Sequence, residues 1–116
     1  MKNILILSAA ILLAAGTASA ESNLQEPRFK APSADQMLPL YPKVARKDRL
    51  SGEAIIACVW NETGRLTCRV LSETPSDMGF GQATIKGFET YGRALDVNAS
   101  SAPGQEKKFR FRWSMN

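Results

Sequence analysis

The chain reads as an α+β domain: a three-stranded antiparallel sheet of order 2-1-3, with two helices packed on one face. Three observations predict it. Two strand-like runs, 53–60 and 65–71, flank the polar loop Asn61-Glu62-Thr63-Gly64. An amphipathic stretch covers residues 80–94. The end of the chain, Lys107-Lys108-Phe109-Arg110-Phe111-Arg112-Trp113, alternates strictly, as a half-buried strand does.

Residues 1–20 carry the marks of an export signal. Lys2 gives a basic start, residues 4–15 are apolar, and Ala18-Ser19-Ala20 matches the small-residue pattern for cleavage between Ala20 and Glu21. The apolar run is shorter than the roughly 20 residues a spanning helix needs. The expectation is a periplasmic protein with no membrane segment after processing. An oxidising space suits an even cysteine number, and the chain has two.

Residues 21–36 are polar, carry Pro27 and Pro32, and show no period, which predicts a flexible leader. The folded domain is expected over 37–116. Pro42 suits the first turn of a short helix over 43–49, with Val44 as its apolar contact and Lys43, Arg46, Lys47 and Arg49 toward solvent. Gly52 then admits the hairpin.

A three-residue connection, Glu62-Thr63-Gly64, commonly ends in the left-handed region, where glycine has no steric penalty. Asn61 then faces Arg65, Trp60 faces Leu66, Val59 faces Thr67, and Cys58 faces Cys68. With Asn61 and Arg65 as the closing hydrogen-bonded pair, the cysteines occupy a non-hydrogen-bonded site. Cα atoms there approach to about 4.5 Å, within disulfide range. Two buried thiols acting as small apolar residues are the alternative.

The helix expected over 80–94 takes Ser76 or Asp77 as its cap, and Phe80, Ala83, Thr84, Gly87, Phe88 and Tyr91 share one side. A helix between the second and last strands is most simply a right-handed crossover, so the last strand runs antiparallel to the first and pairs with it. The first strand becomes central. Ile56, Cys58, Trp60, Leu66, Val70, Phe109, Phe111 and Trp113 then face the helices, while Ile55, Ala57 and Val59 line the opposite face.

The composition argues against catalysis. The chain has no histidine, which removes the usual serine and cysteine dyads and triads. Two cysteines without partner histidines make a poor zinc site, and no glycine-rich phosphate loop is present. No cofactor or metal is expected. The net charge of +4 drops to +3 once Lys2 leaves with the leader, too mild for a nucleic-acid footprint. The basic row Lys108, Arg110 and Arg112, with Arg65 and Arg69, suits an acidic peptide or lipid headgroups; an ordinary solvated face is the plainer reading. The backbone edge over 107–115 offers unpaired amides and carbonyls to a partner strand, unless its charges only keep it harmless.

Tyr41-Pro42 and Ala45, Gly52-x-Ala54-x-Ile56-x-Cys58-x-Trp60, the Gly64 turn and Leu66-x-Cys68-x-Val70 follow in order, with Ser72, Phe80-Gly81-x-Ala83 and the alternating end after them. This series resembles the C-terminal domain of TonB-family energy transducers. The resemblance implies a small sheet packed against helices, binding an extended peptide of an outer-membrane transporter alongside the last strand. The partner surface it implies is Lys108, Phe109, Arg110, Phe111, Arg112 and Trp113. The chain departs from the family at Gly79-Phe80-Gly81-Gln82-Ala83, around residues 94–97, and at its cysteines. The cleavable leader and short spacer point to a stand-alone periplasmic relative, not a full transducer. Two other classes stay open: an assembly protein dimerising through Ile55, Ala57 and Val59, and a small hydrolase using Glu73, Asp77 and Glu89.

Overall fold

In the computed structural model, which describes residues 26–97 and 105–115, the hairpin loop sets the register of the whole sheet. The described residues form β1 (Phe29–Lys30), α1 (Ala34–Met37), a 3-10 turn (Leu38–Leu40), α2 (Lys43–Lys47), β2 (Gly52–Trp60), β3 (Leu66–Thr74), α3 (Phe80–Tyr91), β4 (Arg93–Ala94) and β5 (Lys107–Trp113). The export signal and the Ala20–Glu21 junction lie outside the described residues.

Asn61 closes the loop. Its N–H donates to the Arg65 carbonyl at 3.1 Å, and its side-chain oxygen accepts from the Thr63 and Arg65 amides at 2.9 and 3.0 Å. Gly64 sits at φ +87°, with the Ala94 carbonyl where a side chain would be. From this turn Trp60 pairs with Leu66, Val59 with Thr67 and Cys58 with Cys68, as the loop length predicts. The Cys58–Cys68 disulfide is formed, at a Cα separation of 4.0 Å. A bulge at Leu71 shifts the pairing, since Ile56 faces Val70 while Ile55 faces Ser72.

The order of the larger sheet is β3-β2-β5, with β2 antiparallel to both neighbours. The single sheet numbered 2-1-3 is corrected: a second, two-stranded sheet pairs Phe29 with Ala94 and Lys30 with Arg93. The leader boundary is corrected with it. Pro27 and Pro32 are buried, Ser33 and Gln36 form a reciprocal cap on α1, and Met37 is enclosed in the core. The period of two residues in β1 and of one turn in α1 is too short to show as a pattern. Arg28 bonds Asp96 at 2.6 Å beside this small sheet, and its guanidinium holds that carboxyl below the ordinary carboxylate value.

α3 packs its Phe80, Thr84 and Phe88 side against the inner face of the larger sheet. It starts at Gly79, not at Ser76 or Asp77; Asp77 instead takes a left-handed conformation in the preceding loop, at φ +62°. It stops at Tyr91, short of residue 94, because Gly92 turns extended and delivers Arg93 and Ala94 to β1. Tyr91 is exposed, so the buried side narrows at that end. The close approach of β2 to α3 requires Gly52, where a Cβ would lie 2.4 Å from the Phe80 ring. α2 ends at Lys47 instead of Arg49, and its core contact is the fully buried Ala45, while Val44 is exposed.

Tyr41 is buried, and its hydroxyl donates to the Leu50 carbonyl. Burial raises its phenol above the ordinary 10.0. A group raised in the folded state gives stability that is full below its unfolded value and lost as pH climbs toward the raised one. Denaturant melts above pH 10 should therefore show a falling limb that Tyr41→Phe flattens, at a cost of about 1 kcal/mol near neutrality for the lost hydrogen bond. The disulfide closes a short loop, spanning 10 residues in sequence. Its reduction, followed by thermal melting, should lower stability by about 2–3 kcal/mol in the chain-entropy account.

Candidate functional site

β5 divides its side chains cleanly between the two faces of the sheet. Phe109 touches Phe29 and Phe88, with ring centroids 5.4 and 5.0 Å apart. Phe111 touches Phe88 at 6.2 Å and Trp113 at 4.9 Å. Trp113 meets Tyr41 at 5.3 Å and donates its indole N–H to Thr84 Oγ1 at 2.8 Å. That hydroxyl in turn donates to the Phe80 carbonyl at 2.7 Å, which satisfies both polar groups inside the core. Lys108, Arg110 and Arg112 stand on the other face, exposed.

The six residues expected to meet a partner thus separate into two sets. Phe109, Phe111 and Trp113 are core anchors, and Trp113 is only 2% exposed. Lys108, Arg110 and Arg112 alone present their side chains to solvent. Their backbones follow from the register. The Asn61–Arg65 pair is hydrogen-bonded, so alternation leaves Cys58–Cys68 non-bonded and turns the Cys58 backbone toward β5. Cys58 faces Lys107 and Ile56 faces Phe109 in β5. Residues 107, 109, 111 and 113 therefore bond β2, and the amides and carbonyls of Lys108, Arg110 and Arg112 point outward. Among the described residues no strand pairs with that outer side.

The opposite edge, β3, also pairs with no further strand among the described residues, but one of its outward amides is filled by a side chain. The Cys68 amide, which points away from β2, donates to Glu89 Oε2 of α3 at 2.8 Å. Glu73 likewise accepts from the Gly81 amide at 2.8 Å. These contacts separate two members of the expected set of Glu73, Asp77 and Glu89. Glu73 holds the Gly81 amide in the first turn of α3, and Glu89, about 12 Å further along the helix axis, holds the Cys68 amide of β3. Each carboxylate fixes backbone and neither faces the other.

The open face carries a shared carboxylate. Glu53 Oε2 lies 3.5 Å from Arg110 Nε and 3.9 Å from Arg112 Nη2, so two guanidiniums divide one anion. Both arginines are more than half exposed, which limits each pair to about 0–1 kcal/mol. Arg69 is paired separately with Glu106 at 3.1 Å. Ile55, Ala57 and Val59 form the middle of this face, but Ala57 is buried, flanked across the strands by Arg69 and Lys108. The expected apolar strip is interrupted by that burial.

Two clefts open at the end of β5. One, of about 470 Å³, lies among Ser51, Gly52, Glu53, Thr74, Pro75 and Arg112. The other, of about 270 Å³, runs between α1 and β5, lined by Met37, Leu38, Tyr41, Phe111, Arg112 and Trp113. Consecutive residues of a strand line one cleft only where it meets the strand's edge or end. Sequence reasoning missed this second cleft because it assigned α1 to a leader. It also missed Glu53 as the arginines' partner, although Glu53 shares the parity of Ile55 and lies opposite Arg112. Among the described residues no three His, Cys, Asp or Glu side chains gather as a metal site, and no helix is long and apolar enough to cross a membrane.

No family model matches the chain, and no curated protein matches it. Among solved structures it is similar to the solution NMR structure of the Pseudomonas aeruginosa TonB C-terminal domain. The identity is 17% and the TM-score 0.48, with 81% of this chain and 88% of that one covered. A likeness at that level assigns no function.

Proposed function

We propose that this protein is a non-enzymatic, periplasmic binder of an extended peptide or protein segment, which it takes up as an added strand along the outer side of β5. The observation that carries the reading is the asymmetry of the two edges. Neither edge meets a further strand among the described residues, but Glu89 fills the outward Cys68 amide of β3, whereas no side chain of the described residues fills the outward amides of Lys108, Arg110 and Arg112. Strand addition draws affinity from such main-chain groups. The core anchoring of Phe109, Phe111 and Trp113 keeps the edge straight and rigid before a partner arrives.

The sequence resemblance to TonB C-terminal domains supports a segment of an outer-membrane transporter as the partner, in a stand-alone relative of the energy transducers. The export-type leader and the disulfide support the periplasm. Dimerisation through Ile55, Ala57 and Val59 is less favourable, because a two-fold pairing of open faces would bring Arg69, Lys108 and Arg110 against their own copies.

Amide hydrogen exchange tests the reading residue by residue. In the free protein the amides of Lys108, Arg110 and Arg112 should exchange fast, and those of Phe109 and Phe111 slowly. Saturating periplasmic transporter peptides should slow the first set alone. Protection that falls elsewhere, or on both sets equally, would reject strand addition at this edge.

A further inference from the structure

We infer that the segment accepted at β5 alternates acidic and apolar side chains, with its acids over the arginine row and an apolar residue seated in the cleft beside α1. The inference rests on the strand-addition reading and names the chemistry of its ligand. An added strand must alternate its side chains between the two faces of the sheet. Residues opposite Arg110 and Arg112 lie on the open face, and the residue between them, opposite Phe111, lies on the inner one. Cross-strand neighbours stand about 4.5–5.5 Å apart at Cβ, close enough for opposite charges to attract and like charges to repel.

On the open face the surplus is cationic. Arg110 and Arg112 have Glu53 between them, and Lys108 continues the same row. A guanidinium carries five N–H donors, so one carboxylate at 3.5 and 3.9 Å leaves most of the pair's donors directed elsewhere. Incoming carboxylates would meet these donors, and incoming lysines would be repelled.

On the inner side the cleft of about 270 Å³ has apolar walls at Met37, Leu38, Tyr41, Phe111 and Trp113, with Leu38 53% exposed, and a polar rim that includes Asp35 and Arg112. Small-molecule pockets usually hold about 300–1,000 Å³, and this cleft lies just below that range, with ample room for one apolar side chain of an added strand. The cleft touches β5 at Phe111 and Trp113, where the strand parity sends an inner-face side chain, and reaches Arg112 between them along the strand's edge. The required core of the ligand is therefore acidic, apolar, acidic. The apolar wall separates this ligand from a purely electrostatic one.

Glu53 gives the inference an unusual sign. It competes for the same guanidiniums and repels an incoming acid, so neutralising it should tighten binding. It is 31% exposed at the side chain, and Gln keeps its shape.

The test measures dissociation constants of the full protein by calorimetry, with three blocked nonapeptides. One alternates glutamate and valine, one lysine and valine, and one glutamate and serine. Vesicles of phosphatidylglycerol form a fourth arm. The glutamate–valine peptide should bind at least about tenfold more tightly than the lysine–valine peptide, and several-fold more tightly than the glutamate–serine one. The double change Arg110→Gln with Arg112→Gln should weaken it about 3- to 10-fold, Glu53→Gln should tighten it about 2- to 5-fold, and Leu38→Asp should remove the preference for valine. Equal affinity for all three peptides, with hydrogen-exchange protection of Lys108, Arg110 and Arg112, would overturn the composition and leave strand addition standing. No protection with any peptide would overturn both. Binding to the vesicles without discrimination among peptides would assign the arginine row to lipid phosphate and likewise overturn the inference.

Discussion

The hydrogen bond from the Trp113 indole to Thr84 is the contact on which the placement of the last strand depends. Trp113 ends β5, and Thr84 lies at the middle of α3, so one 2.8 Å bond ties the crossover helix to the strand that follows it. Thr84 is wholly buried, and its hydroxyl both accepts from the indole and donates to the Phe80 carbonyl. Were either partner missing, a polar group would be left unsatisfied in the core, which costs about 1–3 kcal/mol. The bond also sets the parity of β5. With Trp113 inward, Phe111 and Phe109 must point inward and the three cations outward.

The two edges of the sheet then acquire different characters from different causes. At β3 the helix lies near enough for Glu89 to reach one outward amide, that of Cys68, so this point of the edge is occupied by a side chain of its own crossover. At β5 the neighbouring element is α1, which leaves a cleft instead of a cap. Edge strands left open invite unwanted pairing, and charge along the strand is a common defence. Here the charges are all of one sign on β5, with Glu53 reaching across from β2. Like charges of this kind disfavour pairing of the edge with a copy of itself and favour a segment of opposite charge.

Most of the larger sheet was legible in the sequence because its determinants are local. Asn61 and Gly64 define the loop, the loop defines the register, and the register brings Cys58 to Cys68. Alternation in β5 told which residues are inward. The smaller sheet was not legible, since two-residue strands have no period and Phe29 meets Ala94 only through tertiary packing. The same holds for α1, a single capped turn whose Met37 is recruited to the core from a stretch that reads as polar. The cap of α3 misled for another reason: Ser76 and Asp77 are good capping residues by type, but the chain between β3 and α3 turns once more and leaves Gly79 at the cap. Half of the candidate site was therefore predictable, namely the strand and its charges. The cleft was hidden, because it exists only where a supposed leader folds back.

That division has an energetic consequence for recognition. A segment that adds to β5 loses conformational freedom of its own, while the strand it meets is already fixed by Phe29, Phe88, Tyr41 and Thr84. Preorganisation on one side removes part of the ordering cost that coupled folding and binding carries. The main-chain ladder is indifferent to sequence, so discrimination has to come from the side chains on either face. On this chain those faces differ in kind: exposed guanidiniums with low individual worth on one, and on the other a cleft with Phe111, Trp113 and Tyr41 in its wall. In the proposed complex the cationic row would steer approach and set the sign of acceptable charge, as surface electrostatics generally does. The cleft would fix the parity of the added strand, because moving it by one residue would place a carboxylate against Phe111 and Trp113. Neither feature alone would select an alternating segment; the parity imposed by Trp113 makes them act on neighbouring residues of the same peptide.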